Sequence, residues 1–318
     1  VEKTVEVKQG ALWMAPMAGV TDLPFRLLVR EQGCDLTFTE MVSSKAIQFK
    51  NRQTWKMLDL EGQPTGVQLF GSDPQVMAQA ARVAQAQGAA VIDINMGCPV
   101  PKVVGNGEGA ALMRAPDLAF SIVKAVSRAV SIPVTAKIRA GWDRKSVNAV
   151  EFAQGLAQAG ARAITVHGRT REQMYSGSAD WEIIGQVVRA VSVPVIGNGD
   201  IWSGTDALAM LRQTGCRGVM LARGVLGNPW LFAEVSAALS GREYQPPTIG
   251  QRIKTALRHF HLELEYREER KAVLFMRKHL AWYLKGMPET AALKKQIFTL
   301  TSPRRIEELL LNYVGTTE

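Results

Sequence analysis

The sequence predicts an α/β protein in which a (β/α)8 TIM barrel over residues 1–241 is followed by a small all-α helical-bundle domain over residues 242–318. Three observations predict it. Short apolar runs recur eight times, each followed by a stretch with helical spacing. Glycine marks four of the joints at which such a stretch ends and the next run begins, where a left-handed cap is needed. The strand pattern then stops after Leu239-Ser240-Gly241, and helical spacing alone continues.

In order, the candidate strands are Ala11–Met17, Leu36–Met41, Gly66–Gly71, Val91–Gly97, Val134–Gly141, Ala163–Arg169, Val193–Asp200 and Gly218–Gly224. Runs such as Val91-Ile92-Asp93-Ile94-Asn95 are β-rich and too short for helices, as expected of parallel strands buried on both faces. Segments such as Pro74–Gln87 supply the helices between them. The joint glycines are Gly33, Gly88, Gly160 and Gly215. Pro133 and Pro194 stand at the entries to the fifth and seventh strands, where a missing N–H disturbs no ladder. In the tail, Ile253, Leu257, Phe260 and Leu264, then Val273, Met276, Leu280 and Tyr283, give helical faces, and Ser302-Pro303 reads as a cap and first turn; about four helices are expected.

Composition narrows the class without choosing a function. The net charge is +9, and residues 242–318 carry 14 Lys+Arg against 9 Glu and no Asp. Such a bias suits a polyanion such as RNA, and equally a solvated face. No apolar run approaches the ~18 residues of a membrane span. The chain opens without a basic-then-apolar leader, and its three cysteines show no pairing pattern, so a reducing, cytoplasmic setting without membrane attachment is expected. Neither an obligate protein partner nor a Cys-x-x-Cys or clustered-His metal site is evident.

Barrels of this type carry their active sites at the C-terminal strand ends. Here those ends supply Ala15-Pro16-Met17-Ala18, Glu40, Gln68, Asn95 with Cys98, Lys137 with Arg139, His167, Asn198-Gly199-Asp200 and Arg223-Gly224. A lysine inside a strand at position 137 needs an anionic partner, either a bound ligand or a carboxylate of the barrel. Asn198-Gly199-Asp200 and Ala222-Arg223-Gly224 lie where barrels commonly hold a phosphate on backbone N–H groups and an arginine. Cys34 and Cys216, at helix-to-strand joints on the opposite rim, read as small buried side chains. Cys98, in Asn95-Met96-Gly97-Cys98-Pro99, reads as a thiol for acid–base or nucleophilic work. His167 reads as a hydrogen-bond donor to a cofactor, with a core histidine as the plain alternative.

Ala15-Pro16-Met17-Ala18-Gly19-Val20-Thr21-Asp22, Asn95-Met96-Gly97-Cys98-Pro99, His167-Gly168-Arg169-Thr170 and Asn198-Gly199-Asp200-Ile201 resemble bacterial tRNA-dihydrouridine synthases, most nearly the B subfamily. The resemblance runs in order from about Leu12 to Leu239 and reaches the tail at Arg277-Lys278-His279-Leu280-Ala281-Trp282-Tyr283. It implies FMN at the mouth, cradled by Pro16, Met17 and Ala18, with Gln68, Lys137 and His167 at the ring system and Asn198, Gly199, Asp200, Ala222 and Arg223 at the phosphate. It further implies NADPH as reductant with NADH as an alternative, hydride transfer to C6 of a uracil held by Asn95 and Arg139, and a proton from Cys98 to C5. A stacked uridine must be extruded to reach such a mouth, so a basic tail beside it is expected to hold the RNA, with Arg252, Lys254, Arg277, Lys278 and Lys285 as candidate contacts. The stretch Lys102–Gly109 is richer in glycine than the B subfamily's usual loop. Two rival readings are a small-molecule reductase resembling dihydroorotate dehydrogenase, which needs no basic tail, and a non-catalytic RNA-binding barrel.

Overall fold

The structure, a computed structural model, describes residues 7–60 and 64–317. The first six residues of the expected barrel segment, residues 61–63 within it and residue 318 lie outside the described residues. Nine parallel strands are present among the described residues: β1 (Ala11–Met14), β2 (Thr37–Phe38), β3 (Val42–Ser43), β4 (Thr65–Phe70), β5 (Val91–Met96), β6 (Val134–Gly141), β7 (Ala163–Thr170), β8 (Val195–Asn198) and β9 (Gly218–Leu221). Eight form the ring, in the order β1, β9, β8, β7, β6, β5, β4, β2, with β3 a short addition on β4. The seam between β1 and β2 is closed by a parallel bridge from Trp13 to Leu36, with Met14 N donating to Leu36 O at 3.0 Å and Asp35 N to Leu12 O at 2.8 Å.

Strand periodicity sorts the side chains into two environments. Leu12, Met14, Ile92, Ile94, Ala136, Ile138, Ile164 and Val166 face outward into the apolar layer shared with the surrounding helices. Ala11, Trp13, Phe38, Val91, Ala163, Ile196 and Met220 come from strands all round the ring and touch one another, so they fill its interior at one end. Continuing inward positions by twos gives Asp93 and Asn95 on β5, Thr135, Lys137 and Arg139 on β6, and Thr165 and His167 on β7. The interior therefore changes from apolar to polar as the strands run toward their C-terminal ends.

The expected strands are all present, with ends that differ for identifiable reasons. The second is interrupted after Phe38, because Thr39 Oγ1, rather than a backbone carbonyl, accepts from Gln68 N at 3.2 Å and Glu40 turns aside to accept from Gly19 N. Pro133 and Pro194 fall one residue before their strands, their carbonyls accepting from Ile92 N and Ile164 N at 3.0 Å. The seventh ring strand ends at Asn198 because Gly199 and Asp200 both adopt positive φ. All four joint glycines have positive φ, and Cys34 and Cys216 are buried behind them. No described helix is long and apolar enough to cross a membrane.

Beyond the barrel's last helix, Leu231–Leu239, come Ile249–Tyr266, Glu269–Tyr283, Thr290–Thr299 and Pro303–Thr317. The first begins with a complete capping box, Thr248 and Gln251 each bonding the other's backbone N–H. Ile253, Phe260, Val273, Met276, Leu280, Tyr283, Ile297, Ile306 and Leu310 form a separate core into which Trp230 of the barrel inserts. The joint with the barrel is polar. Arg267 pairs with Asp22, which caps the helix Leu23–Glu31, and with Glu263 at 2.7 Å. His259 lies beside Glu263, at 3.8 Å, and donates to or accepts from the Tyr283 hydroxyl at 3.3 Å. Burial first, then Asp22, pushes the Glu263 carboxyl up, against the pull of Arg267.

That direction sets a pH dependence. A carboxyl raised in the fold keeps its proton where the unfolded chain has lost it, so stability is fullest at low pH and falls as pH rises above the ordinary carboxylate range. Glu263→Gln removes this contribution. Its melting temperature should change less between pH 6 and pH 9 than that of the parent; a depression of equal size at both pH values would show instead that the carboxylate is ionised against Arg267.

Candidate active site

A cavity of about 330 Å³ opens at the C-terminal ends of the strands, within the ~300–1,000 Å³ range of small-molecule sites. Every barrel residue singled out from the sequence for cofactor, substrate or acid lines it: Pro16, Met17, Ala18, Gln68, Asn95, Cys98, Lys137, Arg139, His167, Asn198, Gly199, Asp200, Ala222 and Arg223. They converge because each lies among the last inward-facing residues of its strand or early in the loop that follows it.

The cations are held close together. Lys137 Nζ donates to Asn198 Oδ1 at 2.9 Å, and Asn198 Nδ2 in turn donates to Met220 O at 2.7 Å, tying β6, β8 and β9. No carboxylate among the described residues lies within ion-pair distance of Lys137, so of its two expected partners the barrel carboxylate is absent. Burial, then Arg139, lowers its pKa to about 7, against the attraction of Asp93. Arg139 donates to Gly97 O at 2.7 Å, Thr170 O at 2.8 Å and Met174 O at 2.9 Å, leaving Nη2 without a hydrogen-bond partner among the described residues. Arg169 and Arg223 share Asp200, at 2.7 and 3.3 Å. Asp200 thus holds arginines in place. Arg223 is steadied further between the exposed rings of Tyr175 and Trp202, 5.0 and 5.2 Å from their centroids.

Two groups have protonation states set by this surrounding. Burial, with Lys137, Arg139, Arg169 and Arg223 nearby, holds His167 well below the usual imidazole range, so it is neutral. Burial also pushes the Cys98 thiol up, against a backbone hydrogen bond at Val100 and the Arg139 charge, so the sulfur keeps its proton near neutrality. The turn that carries Cys98 is built by Asn95, whose Oδ1 accepts from Gly97 N at 3.2 Å and Cys98 N at 2.9 Å. Gly109 packs beneath it; a Cβ there would sit 2.9 Å from Cys98 O. The glycines of the Lys102–Gly109 stretch therefore include one required by the Cys98 turn. Gly199, at φ +118°, is equally constrained, since a Cβ would lie 2.7 Å from Ala179 Cβ and 2.9 Å from His167 Cδ2.

Sequence reasoning passed over four contributors. Met41, Tyr175 and Trp202 also line the cavity from strand-end loops, and Asp93 lies fully buried below it. An aromatic in a strand-end loop is a weak signal, whereas a carboxylate two residues before Asn95, on the same strand face, was a usable one. Of the tail residues, Lys254 and Lys285 are exposed. Arg252 instead caps the end of Glu269–Tyr283, donating to Tyr283 O at 2.6 Å and Lys285 O at 2.9 Å. Arg277 donates to Leu300 O at 2.8 Å. Lys278 reaches across to the barrel, donating to Gly19 O at 2.8 Å. These three expected RNA contacts have donors engaged within the protein.

Fold and site define a TIM-barrel enzyme whose mouth gathers a lysine, arginines and a thiol around one cavity. The profile described as "Dihydrouridine synthase (Dus)" matches residues 13–315, and the chain belongs to that family. It is 44% identical over 307 residues to the "Probable tRNA-dihydrouridine synthase 1" of Synechocystis sp., covering 96% of this chain and 86% of that one. It is 41% identical to the "tRNA-dihydrouridine synthase B" of Xanthomonas campestris pv. campestris, covering 94% and 91%. Among solved structures it is similar to histamine dehydrogenase from Rhizobium sp. 4-9, with TM-score 0.55 over 81% of this chain and 50% of that one, at 15% identity, a likeness of fold alone.

The unpaired ammonium makes a prediction about the ligand-free protein. A lysine lowered to about 7 is charged in the unfolded chain but largely neutral in the fold above that pH, so its burden on stability grows as pH falls below the ordinary lysine value, is greatest below pH 7, and lifts as pH rises again. Lys137→Met should therefore raise the melting temperature of the ligand-free protein at pH 6.5, with the gain shrinking by pH 9. A gain that is absent, or that grows with pH, would contradict this.

Proposed function

We propose that the chain is a tRNA-dihydrouridine synthase that reduces the C5–C6 bond of a uridine in tRNA, with FMN bound at the barrel mouth and NADPH as the source of electrons, NADH being an alternative donor. What supports this reading most is the coexistence, in one cavity, of a thiol that keeps its proton and an ammonium with no carboxylate partner. The donor set fits a flavin phosphate and ring system: Arg223 and the backbone at Gly199 and Ala222 suit a phosphate, and Lys137 suits the negative charge of a reduced ring. Asp200 serves the phosphate by aligning Arg223. Pro16, Met17 and Ala18 supply backbone and apolar contact, and Gln68 and neutral His167 supply hydrogen-bonding ends.

When bound, the flavin supplies hydride to C6 of the uracil. The chain's own residues do the rest. Arg139, with Nη2 free of hydrogen bonds to described residues, fixes the base from the side of β6, and Asn95 holds the turn that places Cys98. The thiol then gives its proton to C5, the role that a raised pKa suits. A uridine must leave its stack to enter the cavity. We assign the barrel to residues 1–241 and RNA holding to the helices of 242–318, where exposed Lys254 and Lys285 are available cations.

A visible spectrum of the purified protein, with an assay of NADPH-dependent dihydrouridine formation on unmodified tRNA, tests the whole reading; a protein that binds no flavin would overturn it. Cys98→Ala should keep its flavin and its oxidation of NADPH and lose roughly 10²–10⁴-fold in uridine reduction, the usual range for a positioned general acid. Product formation at the parental rate would remove that role. Lys254→Glu with Lys285→Glu should weaken tRNA binding and flatten its salt dependence by roughly one counterion per lost phosphate contact. An unchanged slope would move the RNA surface elsewhere.

A further inference from the structure

One buried charge beneath the mouth has no part in the chemistry proposed above. Asp93 faces the barrel interior from β5, fully buried, in register with Gln68 on β4 and two residues before Asn95. Its Oδ2 accepts from Gln68 Nε2 and its Oδ1 from Thr135 Oγ1, both at 2.6 Å. An ionised carboxylate only accepts hydrogen bonds. Gln68 must therefore turn its nitrogen toward Asp93, and its oxygen is left to face Asn95. Asn95 answers with Nδ2, 2.7 Å from Gln68 Oε1. That choice leaves Asn95 Oδ1 to accept from the N–H groups of Gly97 and Cys98. An amide has one donor end and one acceptor end, so each link dictates the next.

We propose that Asp93 is a positioning residue whose carboxylate sets the direction of the Gln68–Asn95 hydrogen-bond chain and, through it, the turn that presents Cys98 to the substrate. The proposal rests on the reading of Cys98 as the acid. A neutral residue at this depth would avoid the desolvation of a charge, yet an asparagine could offer Gln68 either of its ends. If Gln68 then reversed, Asn95 would reverse with it and set an NH2 group against two backbone N–H donors, an arrangement that buried polar groups do not tolerate without rearrangement. Thr135 keeps the carboxylate from rotating away. Burial raises the Asp93 carboxyl, and the bonds from Thr135 and Gln68 and the charge of Lys137 oppose that rise without cancelling it; the case for an acceptor rests on geometry, the two short donor contacts, one on each oxygen.

The turn can be read without RNA or reductant. Cys34 and Cys216 are buried, so alkylation of the native protein by iodoacetamide reports on Cys98, with the modified peptide quantified by mass spectrometry across pH 7–10. Asp93→Asn should change the alkylation rate by about fivefold or more, equivalent to ~1 kcal/mol, and shift the pH midpoint. Combining it with Gln68→Glu moves the carboxylate one link along: the introduced glutamate accepts both from the introduced asparagine and from Asn95, whose orientation is thereby restored. The double variant should return to within about twofold of the parent. Parental alkylation by Asp93→Asn would overturn the proposal, and so would a change that Gln68→Glu fails to reverse. If Asp93→Asn does not fold, neutron diffraction on the parent decides: deuterons on the Gln68 atom facing Asp93 and on the Asn95 atom facing Gln68 are required, and the opposite arrangement refutes it. Because none of these readouts involves uridine, a chain that failed to reduce tRNA would disprove the activity while leaving the hydrogen-bond chain to be judged separately.

Discussion

The site depends on a constraint of parallel strands closed into a ring: every strand delivers its last inward side chains to the same rim. Inward positions recur by twos, so a strand that begins apolar and ends polar inside the barrel builds a dry plug and a wet mouth from one stretch of sequence. Val91, Asp93 and Asn95 on β5 show this gradient along a single strand. Closure at the seam between Trp13 and Leu36 is what makes the rim continuous and brings the end of β1 beside that of β2.

Charge at the rim is unbalanced in its placement. Lys137, Arg139, Arg169 and Arg223 face a shared space with Asp200 and, lower down, Asp93 as the counter-charges. Asp200 is occupied by two arginines, and Asp93 by Gln68 and Thr135. What remains without a counter-charge is Lys137 and one edge of Arg139. Such an excess opposes stability in the ligand-free protein and favours an anion in the cavity. Neutral His167 and protonated Cys98 follow from the same surroundings, since a positive, poorly hydrated cleft removes a proton from imidazole while low polarity keeps one on sulfur.

Much of this was legible in the sequence, and the limits have physical causes. Strands were legible because apolar β-rich runs and joint glycines such as Gly160 and Gly215 recur together. The cavity lining was legible because a strand's last polar residues are forced to the mouth once the barrel is recognised. Strand ends were less so: Thr39 replaces a backbone acceptor with its own hydroxyl, which no periodicity reveals. Asp93 was overlooked because its importance lies in the register of β4, β5 and β6, where Gln68, Asp93 and Thr135 become neighbours. The tail cations were the least readable. Arg252, Arg277 and Lys278 look like surface charge in a linear sequence, yet their donors meet backbone carbonyls that only the packing of helices brings near.

Lys278 has a consequence beyond its own bond. Together with His279, whose Nε2 lies 3.3 Å from the same oxygen, it anchors Gly19 O, a residue adjoining the Pro16–Ala18 segment. Arg267 grips Asp22, a little further along the same loop. The helical tail is thus a buttress of the barrel's first loop as much as an appendage. Exchanging tails between relatives to alter which RNA is chosen would exchange the anchor too, so a chimaera would inherit a working mouth only if the graft kept these three side chains in register with the loop they hold.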